Sequence, residues 1–572
     1  MHAGRETGIF TRLLAGGEDE LRLKTRDVAL IVLFGASMLL VNLGGARVLT
    51  YHEITFAQPA KEILTDGNWI VPTVAGVPFT DKPPATAWAI AASMALLGTD
   101  SEWVARLPSV LAALVTALVV AMLAARWMGR RVGIVAGLLQ LTTYWTLMQA
   151  RLAESDILLC AAVSVAMGAF AVANVDGPAG RVTARWPAWL FFAATGCAFL
   201  TKALVGPVFI FSSCAAFLLF SQDLRGLRFF LNPIGILIFA LAAVPWCAAA
   251  YSIYPPIVDN MLLHHFGRFQ GDMGQHEPIY AYLYLVPMMV LPWTPFLALG
   301  VYLGWRDGHL SAPIWRFLAC WVLPGMCLLS VSAFKAKHYT IPLLPPLSIM
   351  AAAGLLAHLA GRYRSRRPWH GFLAALTIAG CVTGAVIVQA TQPKGAAGIV
   401  VLIGVLCVGL LLMTYFESRR RLNRELAAMF GTAWAVAAGV QLLVMPHHDS
   451  YRPQTELARR VNTVVPADAT LYMIALPDNQ ITFYLNSKLR RIDDPAQFSA
   501  EISAANSGSL YLLAPRMVAD ALGPLGQFDV LDQASRLNRY MGEQDRVTLF
   551  KLTRTTSVTE RSRNPESSAA RR

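Results

Sequence analysis

His52 and Glu53 stand just beyond a long apolar run, in Thr50-Tyr51-His52-Glu53, and open a series of ionisable groups placed at the ends of such runs. Asp81 and Lys82 follow in Phe79-Thr80-Asp81-Lys82-Pro83-Pro84, Asp156 in Glu154-Ser155-Asp156, and Lys202 in Leu200-Thr201-Lys202-Ala203. Arg268 closes Asn260-Met261-Leu262-Leu263-His264-His265-Phe266-Gly267-Arg268, and Lys335, Lys337 and Tyr339 share Phe334-Lys335-Ala336-Lys337-His338-Tyr339. Charges at the end of a membrane-length run are costly to desolvate and need a reason to be there. A carboxylate, or an imidazole near neutral pH, can take a proton from a hydroxyl. A cation at a membrane interface can hold a lipid phosphate. At about 4 Å and an effective dielectric near 20, one such contact is worth roughly 4 kcal/mol before desolvation. Only the part that grows in the transition state speeds a reaction.

Simpler readings stand beside these. Ser155 or Asp156 can cap a helix, and isolated lysines can snorkel from span ends. His264, His265, Asp272, His276 and Glu277 invite a metal, but their spacing matches no strong signature such as HExxH. Interfacial histidines packed among aromatics are the default there. No metal ligand is assigned, and a divalent metal stays open.

The elements that would position these groups are membrane spans. The chain is 55% hydrophobic and only 15% charged, with a mean hydropathy of +0.49. Soluble proteins carry about 25% charge. Spans of about 20 apolar residues are predicted near 27–49, 104–125, 132–150, 156–174, 187–201, 205–220, 234–252, 280–304, 314–333, 340–360, 371–390, 397–414 and 427–445. The fold class is therefore mainly α, a polytopic membrane protein of about 13 transmembrane helices. The run from Val28 is too long for a signal-peptide core, so a retained first span is expected.

Alternate loops differ in charge. Basic residues crowd the tail 1–26, Arg126/Arg130/Arg131, Arg181/Arg185, Arg225/Arg228, Arg306, Arg362/Arg364/Arg366/Arg367 and Arg419/Arg420/Arg421/Arg424. The positive-inside rule makes these cytoplasmic. The other loops hold isolated basics, including Lys61, Lys82, Lys202, Arg268, Lys335 and Lys337, and face outward. The formal charge of +13 thus sets topology and meets anionic headgroups. It does not indicate nucleic acid. All eight cysteines lie in apolar runs without a CxxC, and read as small core residues.

Residues 50–103 form the longest early outer loop. A stripe of Phe56, Ala60, Ile63 and Leu64, with Gln58, Lys61, Glu62 and Asp66 elsewhere, predicts an interfacial amphipathic helix despite Pro59. Ala85–Gly98 predicts a second. Residues 446–556 read as a small outer α/β domain, with strands at Leu471–Ala475, Leu510–Ala514 and Val547–Leu552 and helices at Gln454–Val464 and Pro495–Ala505. The tail 557–572 reads as disordered. No internal repeat is evident.

In this order the motifs resemble the membrane glycosyltransferases of the GT-C fold, in particular the bacterial aminoarabinose lipid A transferases and the related protein O-mannosyltransferases. The resemblance covers about residues 27–360. It is carried by the pair opening the first outer loop, Gly67-Asn68-Trp69-Ile70-Val71-Pro72, Asp81-Lys82-Pro83-Pro84, Asp156, Leu200-Thr201-Lys202, the Asn260–Phe269 segment and the Lys-x-x-Tyr-x-x-Pro-Leu-x-Pro pattern near 335–345. It implies a bacterial inner-membrane enzyme with a periplasmic active face. A sugar would move, with inversion, from a polyprenyl-phosphate donor to a glycolipid or protein acceptor. It implies that Lys82, with Asp81 beside it, and Lys202 bind donor phosphate. Arg268, Lys335, Lys337 and Tyr339 would be further phosphate contacts, and Asp156 would position a substrate. The family's Asp-Glu pair is His52-Glu53 here, its following Arg is Thr55 and its Tyr is Phe56. Glu53 is then the expected base, with His52 the alternative.

A lipid or solute transporter is the rival class. Transporters often show repeats and mid-membrane charges, and this chain shows neither. Catalysis requires Glu53, Lys82, Asp156 and Lys202 to converge on one outer cavity, within about 15 Å.

Overall fold

A computed structural model describes residues 21–553, apart from 46–47, 177–179, 271–276, 307–311, most of 361–395, 449–452 and short stretches between 475 and 546. The chain divides into two compact units, Met1–Pro72 with Phe79–Ser450, and Thr73–Pro78 with Tyr451–Arg572.

The first unit is helical. Helices α1 Thr25–Leu39, α2 Tyr51–Asp66, α3 Ala85–Leu97, α4 Glu102–Met128, α5 Arg130–Thr142, α6 Tyr144–Gln149, α7 Ser155–Asn174, α8 Trp186–Lys202 and α9 Val205–Ser221 come first. They are followed by α10 Pro233–Ile253, α11 Ile257–Gln270, α12 Ala281–Met289, α13 Thr294–Arg306, α14 Pro313–Val331, a 3-10 helix Lys337–Leu343, α15 Leu344–Leu359, α16 Ala396–Ser418 and α17 Leu422–Gly439.

Among the described residues, seven helices are long and apolar enough to cross a membrane. The pair α12 and α13, bent by 111°, makes an eighth if it is one span. That is fewer than the thirteen expected from sequence. The expected span 132–150 is broken at Thr143, whose backbone is extended (ψ 140°). There the Thr142 hydroxyl donates to Leu138 O at 2.7 Å and the Thr143 hydroxyl to Gln140 O at 3.1 Å. Helices α1, α8 and α9 are short, and the expected span 371–390 lies outside the described residues.

Small residues let the helices approach closely, as membrane bundles require. A Cβ on Gly300 of α13 would fall 2.1 Å from Met350 O of α15, and one on Gly354 would fall 2.0 Å from Phe296 O.

Helix α2 starts with a capping box. Glu53 N donates to Thr50 Oγ1 at 3.3 Å and Thr50 N to Glu53 Oε2 at 2.9 Å. It ends at Gly67, whose φ of +74° is the left-handed cap that glycine takes without strain. From sequence, Gln58 and Glu62 belong to a polar outer face. Instead both are buried. Gln58 Nε2 donates to Glu62 Oε1 at 2.6 Å, an i,i+4 pair that meets part of their polar need where α2 packs on α3. Lys61 pairs with Asp100 at 3.0 Å.

The second unit holds a five-stranded sheet in the order β4-β3-β5-β7-β6. Its strands are β3 Thr470–Ile474, β4 Lys488–Ile492, β5 Leu510–Pro515, β6 Gln527–Asp532 and β7 Val547–Thr553. Strand β3 runs parallel to β4 and β5, and β7 antiparallel to β5 and β6. Helix α18, Pro453–Val464, packs Leu457, Ala458 and Val461 into a core with Leu471, Met473 and Leu549. Ala75 joins this core. It belongs to a hairpin of β1 Thr73–Val74 and β2 Val77–Pro78, and its carbonyl accepts from Arg491 N of β4 at 2.8 Å. The expected helix Pro495–Ala505 and tail 557–572 lie largely outside the described residues.

Candidate active site

The N-terminal turn of α7 carries Asp156, at the end of a helix that stabilises an anion. Lys202 is the last residue of α8, which Ala203 terminates with φ +48°. Lys202 Nζ lies 2.6 Å from Asp156 Oδ1, and both side chains are buried. The same ammonium sits 4.4 Å from the ring centroid of Tyr339, on the 3-10 helix. His338 meets Tyr339 edge-on at 4.9 Å, and the His52 ring, from the first turn of α2, is 6.5 Å from that of His338. Asp156 interacts electrostatically with Lys202, His338 and Lys82, and His338 with Asp156, Lys202, Lys82 and His52. Five segments distant in sequence therefore bring two lysines, two histidines, a tyrosine and a carboxylate to one place.

Lys82 reaches it on a braced loop. Its ammonium lies 4.7 Å from the Phe56 ring centroid, and Phe56 meets Phe79 edge-on at 6.0 Å. Behind it, Trp88 Nε1 donates to Trp69 O at 2.7 Å and Trp246 Nε1 to Ile70 O at 3.0 Å. Asn68 Oδ1 accepts from Val71 N at 3.2 Å, and Asn260 Nδ2 donates to Thr80 Oγ1 at 3.2 Å. The Gly67–Pro72 stretch is thus held by α3 and α10, and Thr80 by α11. Asp81 lies half-buried beside Lys82.

Glu53 is occupied elsewhere. Its Oε1 accepts from Arg106 Nε at 2.7 Å and Ala153 N at 3.0 Å, and its Oε2 from Thr50 N at 2.9 Å and Arg106 Nη2 at 3.3 Å. Arg106 also donates to Leu43 O at 2.8 Å. Glu53 and Arg106 therefore tie α2, α4 and the loop before α7 together. Arg106 had no part in the sequence expectations. The signal was available, as an arginine one turn inside an otherwise apolar run needs a partner.

The remaining expected contacts divide. Lys335 is buried and donates from Nζ to Ser332 O at 2.6 Å and Glu277 O at 3.0 Å. It braces the loop before the 3-10 helix. Lys337 is exposed. The side chain of Arg268, with His264, His265, Asp272 and His276, lies outside the described residues. Among the described residues, no three or more His, Cys, Asp or Glu side chains gather as a metal site.

Comparison with known proteins accords with this geometry. A family model described as dolichyl-phosphate-mannose-protein mannosyltransferase matches residues 81–249. The chain is 30% identical over 374 residues to the undecaprenyl phosphate-alpha-4-amino-4-deoxy-L-arabinose arabinosyl transferase of Pseudomonas savastanoi pv. phaseolicola, covering 64% of this chain and 68% of the relative. The chain belongs to this transferase family. The transferase of the same name from Pectobacterium carotovorum is 26% identical, covering 67% of this chain and 70% of its own. In fold, this chain resembles ArnT from Cupriavidus metallidurans bound to undecaprenyl phosphate, with a TM-score of 0.76 and 20% identity over 92% of this chain and 97% of that one.

Proposed function

We propose that this membrane glycosyltransferase moves a sugar of the 4-amino-4-deoxy-L-arabinose type from undecaprenyl phosphate to a lipid A-type acceptor at the periplasmic face. The observation that carries this is the convergence of Lys82, Lys202 and Asp156 beside His338 and Tyr339, at the ends of apolar helices. Lys82 binds the donor phosphate. Lys202, shared between Asp156 and the site, stabilises the charge that grows as the sugar leaves. The acceptor oxygen attacks the anomeric carbon opposite the phosphate, so configuration inverts. Undecaprenyl phosphate leaves with the bond's electron pair and needs charge stabilisation rather than a general acid. Lys337 and Arg268 complete the phosphate-facing set in this reading. Glu53 and Lys335, held by their own partners, shape the site.

The same reading has about thirteen spans. Residues 1–26 are a cytoplasmic tail, 27–445 the catalytic membrane domain with its loop 50–103 periplasmic, and 446–556 a periplasmic α/β domain. The unequal basic content of alternate loops supports this orientation.

A protein acceptor is the second reading, favoured by the match of residues 81–249 to the protein mannosyltransferase model. Deletion of the gene followed by mass spectrometry of lipid A and envelope glycoproteins decides between them. Loss of aminoarabinose from lipid A is expected. A spectrum unchanged in lipid A but altered in glycoproteins selects the second reading. No change in either overturns both.

A further inference from the structure

We infer that His52 and His338 act as a pair that takes the acceptor's proton in this transferase, an assignment that rests on the proposed transfer reaction. Glu53 already accepts four hydrogen bonds, two of them from a buried guanidinium. Asp156 is committed to Lys202 at 2.6 Å. The groups gathered with Lys82 and Lys202 include two imidazoles, His52 and His338, whose ring nitrogens can accept a proton.

The two rings come from unrelated elements, the first turn of α2 and the 3-10 helix before α15. They face each other at 6.5 Å between centroids with an interplanar angle of 61°. Rings that far apart do not bond one another directly. A single oxygen between them could bond to both, at the usual heavy-atom distance of about 2.8 Å. Each ring is backed by a tyrosine, Tyr51 edge-on to His52 at 5.7 Å and Tyr339 edge-on to His338 at 4.9 Å. Around His338 stand Asp156 from α7, Lys202 from α8, Lys82 from the first outer loop and His52 from α2. The gap between the rings is thus bordered by both phosphate-binding lysines. An acceptor hydroxyl there would sit beside the bond to be broken.

The step balances. The acceptor oxygen forms its bond to the anomeric carbon while its proton passes to an imidazole nitrogen. The bond from that carbon to the phosphate oxygen breaks, and its electron pair leaves on undecaprenyl phosphate. The imidazolium then returns its proton to water. A histidine must be neutral to accept.

The test uses full-length protein in lipid vesicles, with undecaprenyl phosphate-4-amino-4-deoxy-L-arabinose as donor and lipid A as acceptor. Single-turnover rates are read, and undecaprenyl phosphate binding is measured alongside. His338→Gln is expected to cut the rate by about 10²-fold or more, the usual size of general-base effects, and to leave undecaprenyl phosphate bound. His52→Asp supplies a carboxylate that stays ionised to about pH 4. In that background His338→Gln costs little. If wild-type protein transfers sugar and His338→Gln keeps its rate, the pair is overturned while the transferase reading stands. The pair is also overturned if His338→Gln costs as much beside Asp at 52 as beside His. Wild-type protein that forms no glycosylated product overturns the transfer reading, and the pair with it.

Discussion

Arg106 and Glu53 form an ion pair closed to solvent, Nε to Oε1 2.7 Å, with side chains 2% and 0% exposed. Neither charge has water to fall back on, so removing one strands the other. Breaking a buried pair from one side costs about 3–5 kcal/mol. Arg106→Leu is expected to lower yield and unfolding temperature in detergent. Arg106→Lys should rescue only in part, because an ammonium cannot reproduce two contacts to Glu53 and one to Leu43 O. Glu53→Gln separates architecture from chemistry. Activity per folded molecule should fall less than about tenfold, where loss of a general base costs about 10²-fold or more.

Lys82 carries the donor-binding prediction. One phosphate contact of this kind is worth at most about 4 kcal/mol, and tenfold in affinity is about 1.4 kcal/mol. Lys82→Ala is therefore expected to weaken undecaprenyl phosphate binding by about 10- to 10²-fold, with the difference shrinking as salt rises. Phe56→Leu removes only the ring beneath the ammonium, worth about 0.5–1 kcal/mol, and should weaken binding less. Equilibrium binding of undecaprenyl phosphate to both variants ranks them.

The sequence signalled the long elements and the site for one shared reason. Apolar runs stand out from the rest of the chain, though not where they break or fall short of a span, and ionisable groups at their ends are rare enough to notice. Lys82, Asp156, Lys202, His52 and Tyr339 were readable in that way. What periodicity could not show was direction. Nothing in Thr50-Tyr51-His52-Glu53 says that Glu53 turns inward to Arg106, because that contact joins residues 53 positions apart. His338 was hidden in the same way, its role arising where four distant segments meet it. In the second unit, β3, β5 and β7 were legible as apolar runs. The edge strands β4, Lys488-Leu489-Arg490-Arg491-Ile492, and β6, Gln527–Asp532, carry too much charge to read as strands. The hairpin around Ala75 gave no sign that it packs into a core formed by residues almost four hundred positions later.

Asp156 and Lys202 invite a double-mutant cycle. Each single change, Asp156→Asn or Lys202→Met, leaves a buried charge without its counterion. Each is expected to cost about 3–5 kcal/mol of stability. The double variant should be less destabilised than the sum, because it buries no charge at all. Thermal unfolding of the four proteins gives the coupling directly. All three variants should lose transfer activity, so stability and activity part company in the double variant.

The brace on residues 67–82 predicts a change in binding without a change in chemistry. Trp246→Phe keeps an aromatic ring, smaller than the indole, but removes the donor to Ile70 O, and Asn260→Leu removes the donor to Thr80 Oγ1. Each hydrogen bond is worth about 0.5–1.5 kcal/mol. Hydrogen exchange should quicken across residues 67–82, and KM for the donor should rise with kcat held. An equal fall in kcat and kcat/KM would instead make these contacts part of transition-state stabilisation.

Ala75 and Gly76 test the second unit's core. Ala75 is fully buried among Leu457, Leu471 and Leu513, and Gly76 holds φ +78° with Leu489 O 3.3 Å from where a Cβ would stand. Ala75→Asp puts a carboxylate into an apolar cluster, where burial of an uncompensated charge is strongly unfavourable. Gly76→Val places a β-branched side chain at a positive φ, which such residues rarely adopt, at a cost of about 1–3 kcal/mol. Limited proteolysis should therefore release fragments from 453–553 faster in both variants, and more so in Ala75→Asp. Fragments from α4 and α7 should appear at the wild-type rate. Equal protection of 453–553 in Ala75→Asp and wild type would mean that the hairpin is dispensable to that core.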